Sequence, residues 1–164
     1  MTATTLQALL DRAAISDTVI RYATGIDMRD WAAYRSCFTD EVDIDFTSWM
    51  GGAPIRMAAD DWVAMVRESL SGFAATQHIS SNHVITLDGD EATCVSYVQA
   101  QHYLPNEQGD NGFMLGGYYT NRLVRSPDGW RIRACRITIT WSTGNRHVFE
   151  LARARAAQPG QRAG

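Results

Sequence analysis

The sequence predicts an α+β fold: a cone-shaped, curved antiparallel sheet covered by N-terminal helices. Three observations predict it. Apolar residues recur at helical spacing through Leu70. Four long β-rich segments separated by turn signals follow. Gly116-Gly117 interrupts the third of these, where a sheet closing into a cone needs a bulge or bend. At 164 residues the chain suits a single domain that buries a core and still encloses a pocket. The expected boundaries are 1–150 for this domain and 151–164 for a frayed tail.

The elements follow in order. Leu6, Leu9, Leu10, Ala13, Ala14, Val19, Ile20 and Ala23 mark an amphipathic helix over 5–25, with Thr4 or Thr5 as N-cap and Gly25 weakening its end. Asp30 caps a second helix carrying Trp31, Ala32, Tyr34 and Phe38, which Thr39-Asp40 stops. Val42 to Phe46 alternates apolar and acidic side chains as a half-exposed strand does, until Gly51-Gly52-Ala53-Pro54 breaks the pattern. Helical spacing returns over 59–70 through Trp62, Val63, Val66 and Leu70. Strands are predicted over 76–87, 92–104, 113–125 and 130–141, divided by Asp88-Gly89-Asp90, by 105–111 and by Ser126-Pro127-Asp128-Gly129. From Gly144 a last helix reaches Leu151.

Composition removes several classes of function. With 45% hydrophobic residues, 20% charged residues and a net charge of −3, the chain reads as an ordinary globular protein without the basic stripe that nucleic acid requires. Lysine is absent and all the basic residues are arginine, from which no function follows. Cys37, Cys94 and Cys135 are odd in number and lack CxxC spacing, so neither a disulfide framework nor a thiolate metal site is expected. A start without a basic region or an apolar run, and no bilayer-length apolar segment, gives the expectation of a cytoplasmic protein with no membrane partner.

What remains is a constellation of titratable side chains. Tyr22 and Asp27 lie near the end of the first helix, and His78 lies in the first long strand. By strand parity His78, Ser80 and Asn82 share a face and His83 takes the other. A hairpin about Asp88-Gly89-Asp90 brings His102, on the face of Cys94, Ser96, Val98 and Ala100, to within a few residues of His78. A carboxylate, an imidazole and a phenol meeting in an apolar cavity can perform acid-base chemistry without a cofactor. The same spacing also suits a core histidine bonded to a carbonyl, a helix-terminal aspartate and a packed tyrosine. The acidic run from Asp40 to Asp45 reads as a solvated face.

Ala14-Ile15-Ser16-Asp17, Tyr22 and Asp27 ahead of Asp30-Trp31, Asp43-Ile44-Asp45-Phe46 and Thr76-Gln77-His78 come in a specific order. They are followed by His102, Gly117-Tyr118-Tyr119-Thr120-Asn121 and Gly129-Trp130-Arg131-Ile132. Over residues 5–150 this series resembles the SnoaL-like and scytalone-dehydratase-like families of the nuclear-transport-factor-2-like superfamily. The resemblance implies a curved sheet wrapped around a deep pocket. It also implies an acid-base set that matches Asp27, His78 and His102, with His78 as general acid-base. A second branch, the bile acid 7α-dehydratases, resembles this chain in the separation of Tyr22 and Asp27. Both branches eliminate water from a carbonyl compound without metal or organic cofactor. The two tyrosines with which scytalone dehydratases polarise the substrate carbonyl match Ile26 and Phe46 here, which argues against scytalone itself and leaves that role to Tyr22. Asn121 is similar in position to an asparagine of that pocket.

The function expected from sequence is therefore a cofactor-independent lyase, dehydratase-like, acting on a hydrophobic carbonyl compound of polycyclic or steroid-like type. Asp27, His78, Tyr22 and His102 form the expected catalytic set. Phe46, Trp49, Met65, Met114, Tyr119, Asn121 and Trp141 are the expected substrate contacts. An isomerase or cyclase of a polyketide-like metabolite, and a non-catalytic binding module, stay open beside it. The open face of such a sheet gives the expectation of a homodimer or homotrimer.

Overall fold

The computed structural model of the chain describes residues 3–158. Helices α1 (Ala3–Asp27) and α2 (Trp31–Ser36) are followed by strand β1 (Phe38–Asp45), a single turn α3 (Thr47–Met50), the short strand β2 (Ile55–Ala58) and helix α4 (Ala59–Leu70). The long strands β3 (Ala75–Asp88), β4 (Glu91–Tyr103), β5 (Gly112–Ser126) and β6 (Gly129–Gly144) come next, then helix α5 (Val148–Ala156). Six strands form one sheet in the order β2-β1-β6-β5-β4-β3. The β3 to β6 meander is antiparallel, as expected, but β1 lies parallel to β6, so the sheet is mixed. Neither α3 nor β2 is foreseen by pattern, because each is too short for a periodicity to show.

Helix α1 crosses the inner face of the sheet on Ile15, Val19, Tyr22, Ala23 and Ile26, all buried. Its buried stripe differs from the one that apolar spacing marks, since Leu6, Leu9, Leu10 and Ile20 are exposed. Polar anchors set the phase instead. The Asp11 carboxylate accepts from Arg125 at 2.7 and 2.8 Å and from the Trp130 indole at 3.1 Å, and the Thr18 hydroxyl donates to the Trp130 carbonyl at 3.0 Å. The helix also runs through Gly25 instead of ending there. A Cβ on Gly25 would lie 2.9 Å from the backbone nitrogen of Tyr34, so this glycine permits the close crossing of α1 and α2. Asp30 caps α2 as expected, its carboxylate accepting from the Ala33 amide at 2.9 Å. Phe38, assigned by spacing to that helix, instead opens β1 and is fully buried.

Curvature comes from irregular registers. One falls between Gly116 and Gly117, where β6 carries an extra residue at Thr140 and the Thr140 hydroxyl donates to the Gly116 carbonyl at 3.1 Å. A second, in β3 between Ser81 and Val84, places Asn82 in the left-handed region at φ +53°. This bulge overturns the parity expectation for β3: His83 returns to the inner side with His78 and Ser80, and Asn82 is the residue left exposed. His83 then bonds Ser80 Oγ at 3.0 Å and Ser16 Oγ at 2.6 Å, joining β3 to α1.

The last helix continues past Leu151 to Ala156, with Ala152 fully buried, so the expected frayed tail is helical here. Residues 159–164 lie outside the described residues. Among the described residues no helix is long and apolar enough to cross a membrane.

A Cβ on Gly117 would sit 2.0 Å from the Thr138 carbonyl oxygen on the neighbouring strand. Gly117→Ala is expected to lower stability by about 1–3 kcal/mol through forced strand separation at this bend. A reduced urea midpoint is the measurement, and an unchanged midpoint would show that the bend tolerates a side chain.

Candidate active site

The end of α1 and the start of β3 meet at Asp27. Its Oδ2 accepts from the backbone N–H of His78 at 2.6 Å, and its Oδ1 lies 2.7 Å from His78 Nδ1 and accepts from the Thr76 hydroxyl at 2.9 Å. Thr76 in turn accepts from Arg29 Nη1 at 2.8 Å, and the same nitrogen donates to the Ile26 carbonyl at 2.7 Å. Arg29 holds a left-handed backbone at φ +59°, which turns the chain out of α1 and brings its guanidinium back to Thr76. Burial pushes the Asp27 carboxyl up. The His78 ring, the His78 amide and the Thr76 hydroxyl together outweigh that effect and hold it below the ordinary carboxylate range. A carboxylate only accepts, so His78 Nδ1 carries the proton and Nε2 of the neutral ring is the free acceptor.

His78 is largely buried, 8% of its side chain being accessible, and it faces two cavities. The larger, of about 130 Å³ and partly open to solvent, lies between the sheet and helices α3, α4 and α5. Ile26, Ala100, Leu115, Tyr119 and Ile137 line its inner end beside the two histidines. Phe46, Trp49, Trp62 and Phe149 form aromatic walls. The smaller, about 10 Å³, is enclosed by Tyr22, Tyr119, Asn121, Ser80 and apolar neighbours, and has the size of a single water site.

His102 pairs with Thr76 across the β3–β4 ladder, and its ring stands edge-on to His78 at 5.5 Å between centroids. Phe73 and Phe149 flank it at 5.2 and 4.7 Å. Burial, reinforced by repulsion from His78, drives its pKa down to about 3, so His102 is neutral at ordinary pH. Its Nδ1 is buried without a hydrogen-bond partner. A neutral ring beside the cavity can orient a substrate by donating or accepting a hydrogen bond, but it does not carry charge and has no extra proton to transfer.

The expected residues thus separate into groups. His78 and His102 reach the larger cavity, and Asp27 stands behind His78. Phe46, Trp49, Met65 and Tyr119 line the same space. Tyr22 does not: it is buried behind Tyr119, ring to ring at 5.4 Å, and touches only the small cavity, as does Asn121. Burial first, then the neighbouring phenol of Tyr119, raises the pKa of Tyr22, which stays protonated. Met114 and Trp141, expected as substrate contacts, line neither cavity. Met114 is an odd number of residues from Tyr119 and points to the outer face, where its sulfur accepts from Gln99 at 2.9 Å. Trp141 shares parity with Ile137 and Ile139, but the extra residue at Thr140 turns it outward over Gly116, and it is 46% exposed.

Spacing alone misses Thr76, Arg29, Phe149 and Arg153. Thr76 was legible in principle, being two residues before His78 on the same face. The others come from a positive-φ residue and from helices whose docking no local pattern reveals. Among the described residues no group of three or more His, Cys, Asp or Glu side chains is arranged to hold a metal ion.

A curved sheet wrapped around a cavity is the architecture that the motif order implies. The family model of the SnoaL-like domain matches residues 7–136. The chain belongs to the SnoaL-like family. The Kfla4162 protein from Kribbella flavida is 35% identical, with a TM-score of 0.81 over 89% of this chain and 99% of that one. A scytalone-dehydratase-like protein from Novosphingobium aromaticivorans superposes with a TM-score of 0.73 at 22% identity, covering 98% of this chain and 99% of the other. The hexachlorocyclohexane dehydrochlorinase LinA type 2 gives a TM-score of 0.73 at 18% identity over 85% and 92% of the two chains. At these last two identities the likeness is one of fold. The SnoaL-like chain therefore shares its fold with both.

Two tests follow from the geometry. Thr76→Val removes one donor to Asp27 and strands the Arg29 contact. It should raise the Asp27 pKa, seen in carboxyl carbon NMR, at a loss of about 1 kcal/mol in stability. An unmoved Asp27 titration would show that the hydroxyl does not tune the carboxylate. His102 has a folded pKa below its unfolded value near 6.5, so the unfolded chain binds the extra proton first. Its contribution to stability is complete above about pH 6.5 and declines as pH falls from there toward 3, with burial of His83 adding the same sign. The melting temperature should fall between pH 7 and 5, and His102→Phe should flatten that slope. An equally steep slope in the variant would assign it elsewhere.

Proposed function

We propose that this SnoaL-like protein is a cofactor-independent lyase that removes water, or another leaving group beside a carbonyl, from a hydrophobic small molecule. The observation that carries this is the fixed tautomer of His78. With Nδ1–H held by Asp27, Nε2 faces the cavity as a base, and the carboxylate stabilises the imidazolium once the proton is taken. Tyr119, the one phenol lining the larger cavity, takes the oxyanion role that sequence assigned to Tyr22, and Tyr22 supports it from behind. Neutral His102 lies within reach of the same space and serves to orient the departing hydroxyl by a hydrogen bond, while the proton that completes the water is the one His78 has taken up.

The chemistry balances within the site. His78 gains the proton from the carbon alpha to the carbonyl, the electron pair forms the new double bond as the hydroxyl leaves, and the proton returns to that hydroxyl as water. A volume of about 130 Å³ is near the roughly 150 Å³ that accommodates a benzene ring elsewhere. A single ring therefore fits within, and a polycyclic or steroid-like compound would extend through the open side past Met50 and Met65, which are 54% and 41% exposed. An isomerase or cyclase uses the same first step and differs only in the fate of the carbanion.

His78→Ala and Asp27→Asn are each expected to reduce turnover by about 10²–10⁴-fold while the melting transition shifts by only a few degrees. Mass spectrometry of the product separates the classes, a loss of one water marking the lyase and unchanged mass the isomerase. Full activity in either variant would remove the dyad from the chemistry.

A further inference from the structure

Among the described residues that line the larger cavity one carries a charge, and it is a cation. Arg153, in the last turn of α5, lines the cavity together with Ser69 of α4, while the rest of the wall is almost wholly apolar. The side chain of Arg153 makes no ion pair or hydrogen bond among the described residues, its only hydrogen bonds being those of the helical backbone. The carboxylate best placed for it on its own helix, Glu150 at i−3, lies 3.0 Å from His147 instead. Many other arginines of the chain, from Arg35 to Arg136, are paired with acidic residues. A guanidinium left without an anion beside a greasy cavity has the chemistry of a carboxylate site.

Position gives the spacing. Phe149 and Arg153 are four residues apart on one face of α5, and Phe149 touches His102. One helical turn, about 6 Å of rise, therefore separates the backbone of Phe149, whose ring meets His102, from that of Arg153. We infer that the pocket is built for an amphiphilic carboxylate: a ring-sized apolar body held against the aromatic walls near His78, and a carboxylate about one helical turn away held by Arg153 and Ser69. This deepens the lyase proposal by naming the substrate class, and rests on it only for which end of the molecule reacts.

The test is binding without turnover. 3-Phenylpropionate and its uncharged amide place a phenyl ring and a carboxyl-derived group at the required separation. Their dissociation constants can be read from quenching of Trp49 and Trp62, which line the cavity. At pH 8 and low salt the acid should bind about fivefold tighter than the amide, a modest factor because the rim is open to water. Added salt should weaken the acid alone. Arg153→Gln should bring the ratio to about one by weakening the acid and sparing the amide. Arg155→Gln, a neighbouring cation in the same last turn that does not line the cavity, should leave the preference intact. His78→Gln should leave it intact as well. Absence of saturable binding by either probe, no preference in the wild type, a preference that survives Arg153→Gln, or one that vanishes in His78→Gln would each overturn the inference. None of these readings depends on whether the Asp27–His78 dyad turns over a substrate, so failure of the rim and failure of the dyad are distinct results.

Discussion

The carboxylate of Asp27 is the contact on which the rest of the site depends. It accepts from a backbone amide, an imidazole and a hydroxyl of one strand, and so fastens the end of α1 to the start of β3. The same bonds that fix the helix against the sheet also choose the His78 tautomer. Structural and chemical roles are therefore inseparable here: a group buried enough to need several donors is, once it has them, an ionised acceptor that keeps Nε2 of the neighbouring ring free. Arg29 completes the arrangement from a strained backbone position, a conformation that persists because the Ile26 carbonyl and Thr76 hydroxyl both hold its side chain.

Around that contact the inner face of the sheet departs from a well-satisfied core. Ser96 Oγ, His102 Nδ1 and Asn121 Oδ1 are buried without partners, and all three lie on the concave side of β4 and β5. Unpaired buried polar atoms are uncommon because each forgoes its hydration. His102 borders the larger cavity and Asn121 the smaller, so these two atoms fall where a bound molecule or an internal water is able to reach them. Elsewhere the polar groups inside the fold are well matched, as with Asp11 between Arg125 and Trp130. Unsatisfied polarity is concentrated where the sheet curves around open space.

The cavity itself is a product of sheet curvature and helix docking acting together. The bend at Gly116-Gly117 and the bulge in β3 draw the sheet into a cone, while α4 and α5 pack over its wide end with Phe149 between Trp49, Phe73 and Phe113. Tilted and edge-to-face aromatic contacts of this kind hold a wall in place without filling the hollow behind it. A flat sheet with the same side chains would have closed on its helices as a solid core.

The amino-acid sequence by itself determined the class of fold, the strand meander with its turns, the helix at 59–70, the Asp30 cap and the hairpin that brings His102 to within a few residues of His78. Each is written in local periodicity, in turn chemistry or in the register that a two-residue turn imposes. It also carried the candidate dyad, since Asp27 and His78 stand in a family order of motifs. Only the tertiary structure decided which residues face the hollow. Bulges at Asn82 and Thr140 each flip the alternation of a strand, so His83 turns inward and Trp141 outward, against what counting by twos foretells. The buried stripe of α1 is likewise set by Asp11 and Thr18, polar residues whose partners lie far along the chain. Tyr22 and Tyr119 exchange places for a related reason: both are buried phenols, and which one borders the cavity depends on how a helix settles on a curved sheet. Local pattern specifies that a side chain is buried. The packing of distant elements specifies what it is buried against.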